Sequence, residues 1–234
     1  MAFDAILERY SRREVAVLEY HQHIPVPDPM TNPSTEARAK YCNAQSTPTY
    51  AIDGEMTIGG GAREDAKEFY DKLDLRISKR LEKPAEAQLS LKASREGRQV
   101  KVKATVDKMV SKSPDLMLQI ALVEDSLSYS GENGVRFHPM VVRSLGGTKA
   151  EGFAIDPSKK NTIEHTFDVG KIARELKAYL EDYEKEHKGS FHPKKHEIND
   201  GRLSVAAFVQ DQKTKNVLQA AFVKLKAEAS ESNR

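Results

Sequence analysis

A Thr-Pro-Thr segment ahead of a short strand constrains the fold of this chain more than any other feature. Ser46-Thr47-Pro48-Thr49 leads into the strand Tyr50-Ala51-Ile52-Asp53, and Gly54 allows a turn into a second strand, Glu55–Ile58. Because proline cannot donate to a sheet ladder, it is confined to the first residue of a strand, an edge or a bulge. The segment therefore predicts a hairpin whose first strand starts at the proline, followed by a helix.

Composition narrows the classes of function. The 234 residues are 38% hydrophobic and 31% charged, which is typical of a polar globular protein of one large or two small domains. With 37 Lys and Arg against 35 Asp and Glu, the formal charge is +2, so no broad basic surface for nucleic acid is expected. No apolar run approaches the ~20 residues that span a bilayer, so no transmembrane segment is predicted. The first residues show no signal-peptide pattern.

The single cysteine, Cys42, limits the redox chemistry of this chain. One cysteine excludes an intrachain disulfide, a Cys-x-x-Cys pair and a cysteine-rich zinc site. Cys42 stands at the C-terminal end of a predicted helix, where the helix dipole disfavours a thiolate. We therefore interpret it as a buried structural residue rather than a reactive thiol.

Residues 1–82 predict an α/β domain. The expected elements are a helix over 2–12, a buried strand over Val15–Tyr20, a proline-rich loop over 23–30, a helix over Ser34–Cys42, the hairpin, and a helix over 62–81. Asn32 and Pro33 are the expected N-cap and first residue of the second helix. Gly59-Gly60-Gly61 lacks the Gly-Lys-Ser/Thr ending of a phosphate loop, so we interpret it as a flexible turn.

Residues 85–226 predict an antiparallel β-sandwich-like domain with one packed helix. After Lys83-Pro84 the apolar period changes from that of a helix to that of a strand. Strands are expected over 87–93, 100–106, 116–124, 137–145, 162–169, 203–210 and 217–225, and a helix over 171–187. Residues 227–234 are expected to be a disordered polar tail.

The element order of the first domain resembles a thioredoxin fold that lacks its first part. Helix 2–12 matches the helix that carries the dithiol, Val15–Tyr20 matches the next strand, and Thr47-Pro48 matches the cis-proline motif. The further segments Ile24-Pro-Val-Pro-Asp-Pro and Asn32-Pro look like those of a bacterial group of thioredoxin-like proteins. These have a β-rich second domain, and some are described as cell-envelope or outer-membrane proteins. The resemblance implies a bacterial periplasm or cell envelope for the full-length parent.

One departure from that pattern is decisive for function. The Cys-x-x-Cys motif and the strand before it belong immediately upstream of Ala2, so we expect Met1 to be internal to a longer reading frame. A natural, degenerate thioredoxin-like domain is the alternative. The missing strand is central, between Val15–Tyr20 and Thr49–Asp53. Its loss leaves two options: these strands pair directly, or a groove stays open between them.

The resemblance also assigns the candidate site. It implies a cis Thr47–Pro48 bond and a substrate groove at Thr47 and Pro48, along which an extended protein or peptide pairs with the backbone. An ordinary trans-proline that starts a strand is the alternative, because cis forms are only about 5–6% of X–Pro bonds. His21 and His23 lie on the same side of an extended segment, near the expected rim of this groove.

The histidines of the chain are candidate metal ligands. His21 and His23, at i and i+2, can ligate a metal or tune a thiol, but the sequence fixes no third ligand, although Asp28 is near. His187, His192 and His196 surround a basic loop and are interpreted as solvated residues. We therefore predict no metal and no cofactor.

Two functions remain open. In the first, the parent is a thiol–disulfide oxidoreductase and this chain is inactive, because dithiol exchange requires two cysteines within reach of each other. In the second, the chain is a non-catalytic protein-binding or structural module of the bacterial cell envelope. The sequence determines neither the partner nor the oligomeric state.

Overall fold

Antiparallel sheets dominate the structure, a computed structural model that describes residues 2–59, 63–131, 134–148 and 150–226. Within these ranges the chain is a mixed α/β protein with four α-helices: α1 Ala2–Arg9, α2 Pro33–Cys42, α3 Ala66–Leu81 and α4 Val169–His187. The strands are β1 Thr49–Ile52, β2 Glu55–Ile58, β3 Gln88–Glu96, β4 Gln99–Asp107, β5 Leu116–Glu124, β6 Leu127–Ser128, β7 Phe137–His138, β8 Val141–Leu145, β9 Phe153–Ala154, β10 Asn161–Asp168, β11 Leu203–Asp211 and β12 Val217–Lys224.

Two sheets pack face to face around the main core. One has the strand order β10-β4-β3, and the other has the order β12-β11-β5-β8, with β9 paired to β5. Alternate residues of β4 point inward because side chains on a strand alternate between its faces. They meet the inward residues of β5 and β11, and Ile172 and Leu176 of α4 complete this core. The predicted sandwich with one packed helix is therefore present.

Strands β5 and β11 are buried on both faces, which explains their nearly continuous apolar character. On the face away from the sandwich core, Ala121, Val123 and Ala206 pack against side chains from the N-terminal part of the chain, Leu7, Leu18 and Tyr20. The N-terminal part thus covers the outer face of the five-stranded sheet.

Helix α2 is attached to this outer face through its N-cap. The side chain of Asn32 accepts hydrogen bonds from the backbone amides of Ser34 and Thr35, and Thr35 completes a capping box. The Asn32 amide also donates to the carbonyl of Val142 at 2.9 Å, while the amide of Leu145 donates to Ser34 Oγ at 3.2 Å. The predicted cap is confirmed, and it also joins α2 to β8.

The hairpin β1–β2, α1 and α3 form a second, smaller cluster. Ile6, Leu73 and Ile77 are its buried centre. The rings of Phe3, Tyr50 and Phe69 meet edge to face around it, with centroid separations of 5.3–5.9 Å.

Three expectations about the elements need correction. The predicted strand Val15–Tyr20 is wrong, since only Glu19 forms a bridge, parallel to Val141 of β8. This half-buried run packs on the sandwich instead of entering a sheet of its own. The predicted strand 137–145 is divided into β7 and β8, because Pro139 cannot donate and Met140 has a φ of 56°. Helix α3 begins at Ala66, after a 3₁₀ turn over Arg63–Asp65.

Two other expectations fall outside the described residues: Gly60 and Gly61 of the glycine run, and the tail over 227–234. In the described part of the chain, no helix has the length and apolar content needed to cross a bilayer.

Candidate functional site

A cleft of about 2270 Å³ is lined by the N-terminal segment 12–22, which we call its first wall, and by residues 46–54, which we call its second wall. Phe208 and Ala220 of the five-stranded sheet also line it. Among the described residues, 15–20 do not pair with β1, so the direct pairing that was one of the two expected arrangements is not observed. Both segments line the same cleft.

Thr47 and Pro48 stand on the second wall, both exposed, and the peptide bond between them is cis, as predicted. The Thr47 hydroxyl donates to the carbonyl of Ile24 at 2.7 Å, which links this wall to the proline-rich loop. The Pro48 carbonyl accepts from the amide of Gly59 at 3.3 Å. Pro48 therefore precedes β1 without interrupting the β1–β2 ladder.

The outer edge of β1 carries backbone groups that have no backbone partner among the described residues. The register pairs Ile52 with Glu55 beside the two-residue turn. Ile52 and Tyr50 therefore exchange backbone hydrogen bonds with β2, whereas the backbone amides and carbonyls of Thr49 and Ala51 point away from β2. Within the described residues, β1 pairs only with β2, and the amides and carbonyls of Thr49 and Ala51 have no backbone partner. An edge of this kind is a template for an added strand.

His21 lines the first wall of the cleft beside two carboxylates. Its Nδ1 lies 2.8 Å from Oδ2 of Asp28, and its Nε2 lies 3.4 Å from Oε2 of Glu19. Burial lowers the pKa of His21, yet the carboxylates of Asp28 and Glu19 outweigh it and raise the pKa to about 9. Nε2 of His21 is buried and has no hydrogen-bond partner in the described part of the chain.

His138 completes a cluster that the sequence did not predict. Glu19, His21 and His138 each offer one atom that can bind a metal, and these three atoms lie within 4.8 Å of one another. The rings of His21 and His138 are 5.0 Å apart, edge to face, and Nε2 of His138 lies 3.0 Å from the carbonyl of Tyr129. Burial and the neighbouring His21 lower the pKa of His138. The only local signal that could have indicated part of this cluster is the i, i+2 spacing of Glu19 and His21.

His23 does not belong to the cluster, although its Nδ1 accepts a hydrogen bond from the Asp28 amide at 2.9 Å. Its ring stacks on Tyr183 at 3.8 Å, and its Nε2 lies 3.0 Å from the hydroxyl of Tyr179, so it packs against α4. Burial lowers the pKa of His23 to about 4. The two histidines predicted at the rim therefore have separate surroundings.

The remaining candidates lie apart from this cluster. Cys42 is a free, half-buried thiol at the last residue of α2. His187 stacks on Tyr183 at 3.9 Å. Among the described residues, no group of potential metal ligands includes His187, His192 or His196.

Comparison with known proteins gives a fold likeness and no family. No protein-family model matches the chain, and no curated protein matches it. Among solved structures, it is similar to HBP35 of Porphyromonas gingivalis, with 16% identity, a TM-score of 0.56 and coverage of 86% of this chain. The chain spans 60% of the length of that structure. At this identity the likeness shows a shared fold.

A domain of the outer membrane lipoprotein Omp28 from Porphyromonas gingivalis is also similar, with 17% identity and a TM-score of 0.34. That match covers 63% of this chain and 93% of the other. A TM-score this low carries no argument about fold or function.

Proposed function

We propose that this chain is a non-catalytic module that binds an extended segment of a partner protein along the outer edge of β1. The observation that carries the proposal is the pair of outward-facing residues Thr49 and Ala51, whose backbone groups have no backbone partner in the described chain. An extended peptide that pairs with this edge gains backbone hydrogen bonds, and adjoining pockets select its alternate side chains.

The position of this edge supports the proposal. Thr49 and Ala51 line a cleft of about 2270 Å³ that residues 12–22 also line. Exposed Thr47 and Pro48 stand at the start of the edge, where the thioredoxin resemblance places a substrate groove. We infer that residues 1–82 are an incomplete thioredoxin-like domain, and that the cleft occupies the place of its central strand.

Redox catalysis by this chain has no comparable support. The sequence contains one cysteine, Cys42, at the end of α2 rather than beside Pro48. Dithiol exchange needs a second thiol to resolve the mixed disulfide. An oxidoreductase activity of a longer parent therefore remains a separate hypothesis. It predicts insulin reduction that requires both cysteines of an upstream Cys-x-x-Cys motif.

We place the module in the bacterial cell envelope on the sequence resemblance alone. The fold likeness to HBP35 of Porphyromonas gingivalis agrees with a bacterial origin and adds nothing about location. Fractionation of the native host with an antibody against this chain tests the placement. Recovery with cytosolic markers would contradict it.

The binding proposal is tested with displayed peptides and two variants at one position. Twelve-residue peptides selected against the chain are titrated by calorimetry into wild type, Ala51→Pro and Ala51→Val. Proline removes the outward amide of Ala51 and leaves the β2 ladder intact, because edge strands tolerate proline where the amide faces solvent. Valine keeps that amide.

We expect Ala51→Pro to weaken binding at least about tenfold, which corresponds to about 1.4 kcal/mol. Ala51→Val is expected to stay within about threefold of wild type. Thermal unfolding of both variants checks that the hairpin is retained. Equal affinity of the two variants, or failure to enrich any peptide, would refute binding at this edge.

A further inference from the structure

We propose that Glu19, His21 and His138 form a zinc site at the wall of the cleft, with Asp28 as the hydrogen-bond partner that orients His21. Two imidazoles and one carboxylate are a donor set that zinc accepts with high affinity, and three protein ligands leave a fourth position for water or an external group. The inference is independent of peptide binding at β1.

His21 and His138 each use one ring nitrogen for a hydrogen bond to the protein, so the other nitrogen of each ring can bind a metal. Asp28 Oδ2 is an acceptor 2.8 Å from Nδ1 of His21, so Nδ1 keeps its proton, and an ion bound at Nε2 displaces the proton that the two carboxylates favour there. The carbonyl of Tyr129 can only accept, so Nε2 of His138 donates to it at 3.0 Å and Nδ1 keeps its lone pair. Histidines that bind metals almost always donate their second nitrogen to a carboxylate or a backbone carbonyl. Both histidines here do so.

The spacing of the ligand atoms fits a tetrahedral ion. Two ligands at about 2.0–2.1 Å from a tetrahedral zinc are themselves about 3.3 Å apart. Nε2 of His21 and Oε2 of Glu19 are 3.4 Å apart, and one atom of His138 lies within 4.8 Å of both. Closing the set requires the His138 atom to approach the other two from within 4.8 Å to about 3.3 Å.

An unpartnered polar atom points into the same place. Nε2 of His21 is buried and makes no hydrogen bond to any described residue. A buried nitrogen that makes no hydrogen bond carries a free-energy cost. A metal ion bonded to this nitrogen removes that cost, whereas the ion-pair contact with Glu19 at 3.4 Å removes only part of it.

The fold holds the ligands from two distant parts of the chain. The amide of Glu19 donates to the carbonyl of Met140 at 2.9 Å, and the amide of Val142 donates to the carbonyl of Glu19 at 3.0 Å. This pairing fixes Glu19 and His21 beside the end of β7, where His138 lies. All three residues line the cleft, so an ion reaches them from solvent.

The test uses zinc and cobalt salts as probes on the whole chain after removal of bound metal with a chelator. Calorimetric titration with zinc chloride is expected to show one ion per chain. His138→Gln is expected to weaken binding at least about 100-fold, and Asp28→Asn about 10–100-fold. Cobalt is expected to give the intense visible bands of a tetrahedral site in wild type and to lose them in His138→Gln.

Matched controls separate this site from adventitious zinc at other histidines. The triple variant His187→Gln, His192→Gln, His196→Gln removes the loop histidines and is expected to bind like wild type. Glu19→Gln gives a second ligand variant should His138→Gln fail to fold. The proposal is overturned by a lack of one-to-one binding, by an unchanged affinity in His138→Gln or Glu19→Gln, or by loss of binding in the triple variant.

Discussion

The carbonyl of Lys215 occupies the space that a side chain on Gly54 would need. A Cβ built on Gly54 lies 1.8 Å from this oxygen, and Gly54 has a φ of +88°. The neighbouring carbonyl of Asp53 accepts a hydrogen bond from the amide of Val217 at 2.9 Å. The tip of the β1–β2 hairpin is therefore attached to the turn between β11 and β12, and this attachment holds the second wall of the cleft.

We expect Gly54→Ala to detach this hairpin tip and to destabilise the chain strongly. Gly97→Ala is a matched control, because Gly97 also has a positive φ, +57°, but a Cβ built on it meets no atom within 4 Å. The control is expected to lose about 1–2 kcal/mol of unfolding free energy from the left-handed backbone alone. Gly54→Ala is expected to lose about 1–3 kcal/mol more through overpacking. Urea denaturation measures both losses, and equal losses would contradict the proposed attachment.

Features that depend on local sequence were predictable in this fold. The alternation of β3 and β4 indicated one buried face, and β5 began and ended where the pattern placed it. The N-cap Asn32 and the turn Asp53-Gly54 could also be predicted, because each depends only on hydrogen bonds or dihedral angles of residues close in sequence.

Features that depend on distant pairing were not predictable. The apolar run 15–20 suits a buried strand, but the same residues equally suit a half-buried segment lying on a sheet. Only the contact of Glu19 with β8 decides between the two. His138 joins the site through that contact, across more than 100 residues, so no spacing in the sequence could indicate it.

Arg38 joins α2 to the five-stranded sheet, and its removal is expected to lower the unfolding free energy by at least about 2 kcal/mol. This buried guanidinium donates to the carbonyl of Ala150 at 3.1 Å and to the side chain of Gln210. Arg38→Met leaves both acceptors unsatisfied, at about 1–3 kcal/mol each. Lys40→Met, an exposed change on the same helix, is expected to stay within about 0.5 kcal/mol. Chemical denaturation compares the two, and similar losses would show that Arg38 does not anchor α2.

Glu124 and Arg143 form a buried ion pair that joins β5 to β8. Their side chains are 5% and 1% exposed, and Arg143 Nε lies 3.3 Å from Glu124 Oε2. Burial raises the pKa of Glu124 although Arg143 opposes it. Arg143→Met is expected to cost about 3–5 kcal/mol, because it leaves a buried carboxylate without its partner.

The double variant Glu124→Leu, Arg143→Met removes both charges and is expected to recover part of that loss. A double-mutant cycle on unfolding free energies gives the coupling between the two residues. Strict additivity of the single losses would mean that the two charges do not interact.

His165 gives the stability of the chain a dependence on acid pH. Its half-buried ring lies edge to face with Phe167 at 4.5 Å and with Phe153 at 5.5 Å. Burial lowers the pKa of His165 from its ordinary value of 6.5. The folded state therefore holds the neutral ring and binds fewer protons than the unfolded state. The stability contributed by the neutral ring is complete above pH 6.5 and is lost as the pH falls below that value.

We expect the unfolding free energy of wild type to decline below pH 6.5 more steeply than that of His165→Gln. His192→Gln, a change at an exposed histidine, is the control and is expected to keep the wild-type slope. Urea denaturation between pH 7.5 and 5 measures the slopes, and NMR titration of the His165 ring measures its pKa directly. A ring that titrates at or above 6.5 would remove the physical basis of this prediction, because a fully hydrated imidazole contributes no such slope.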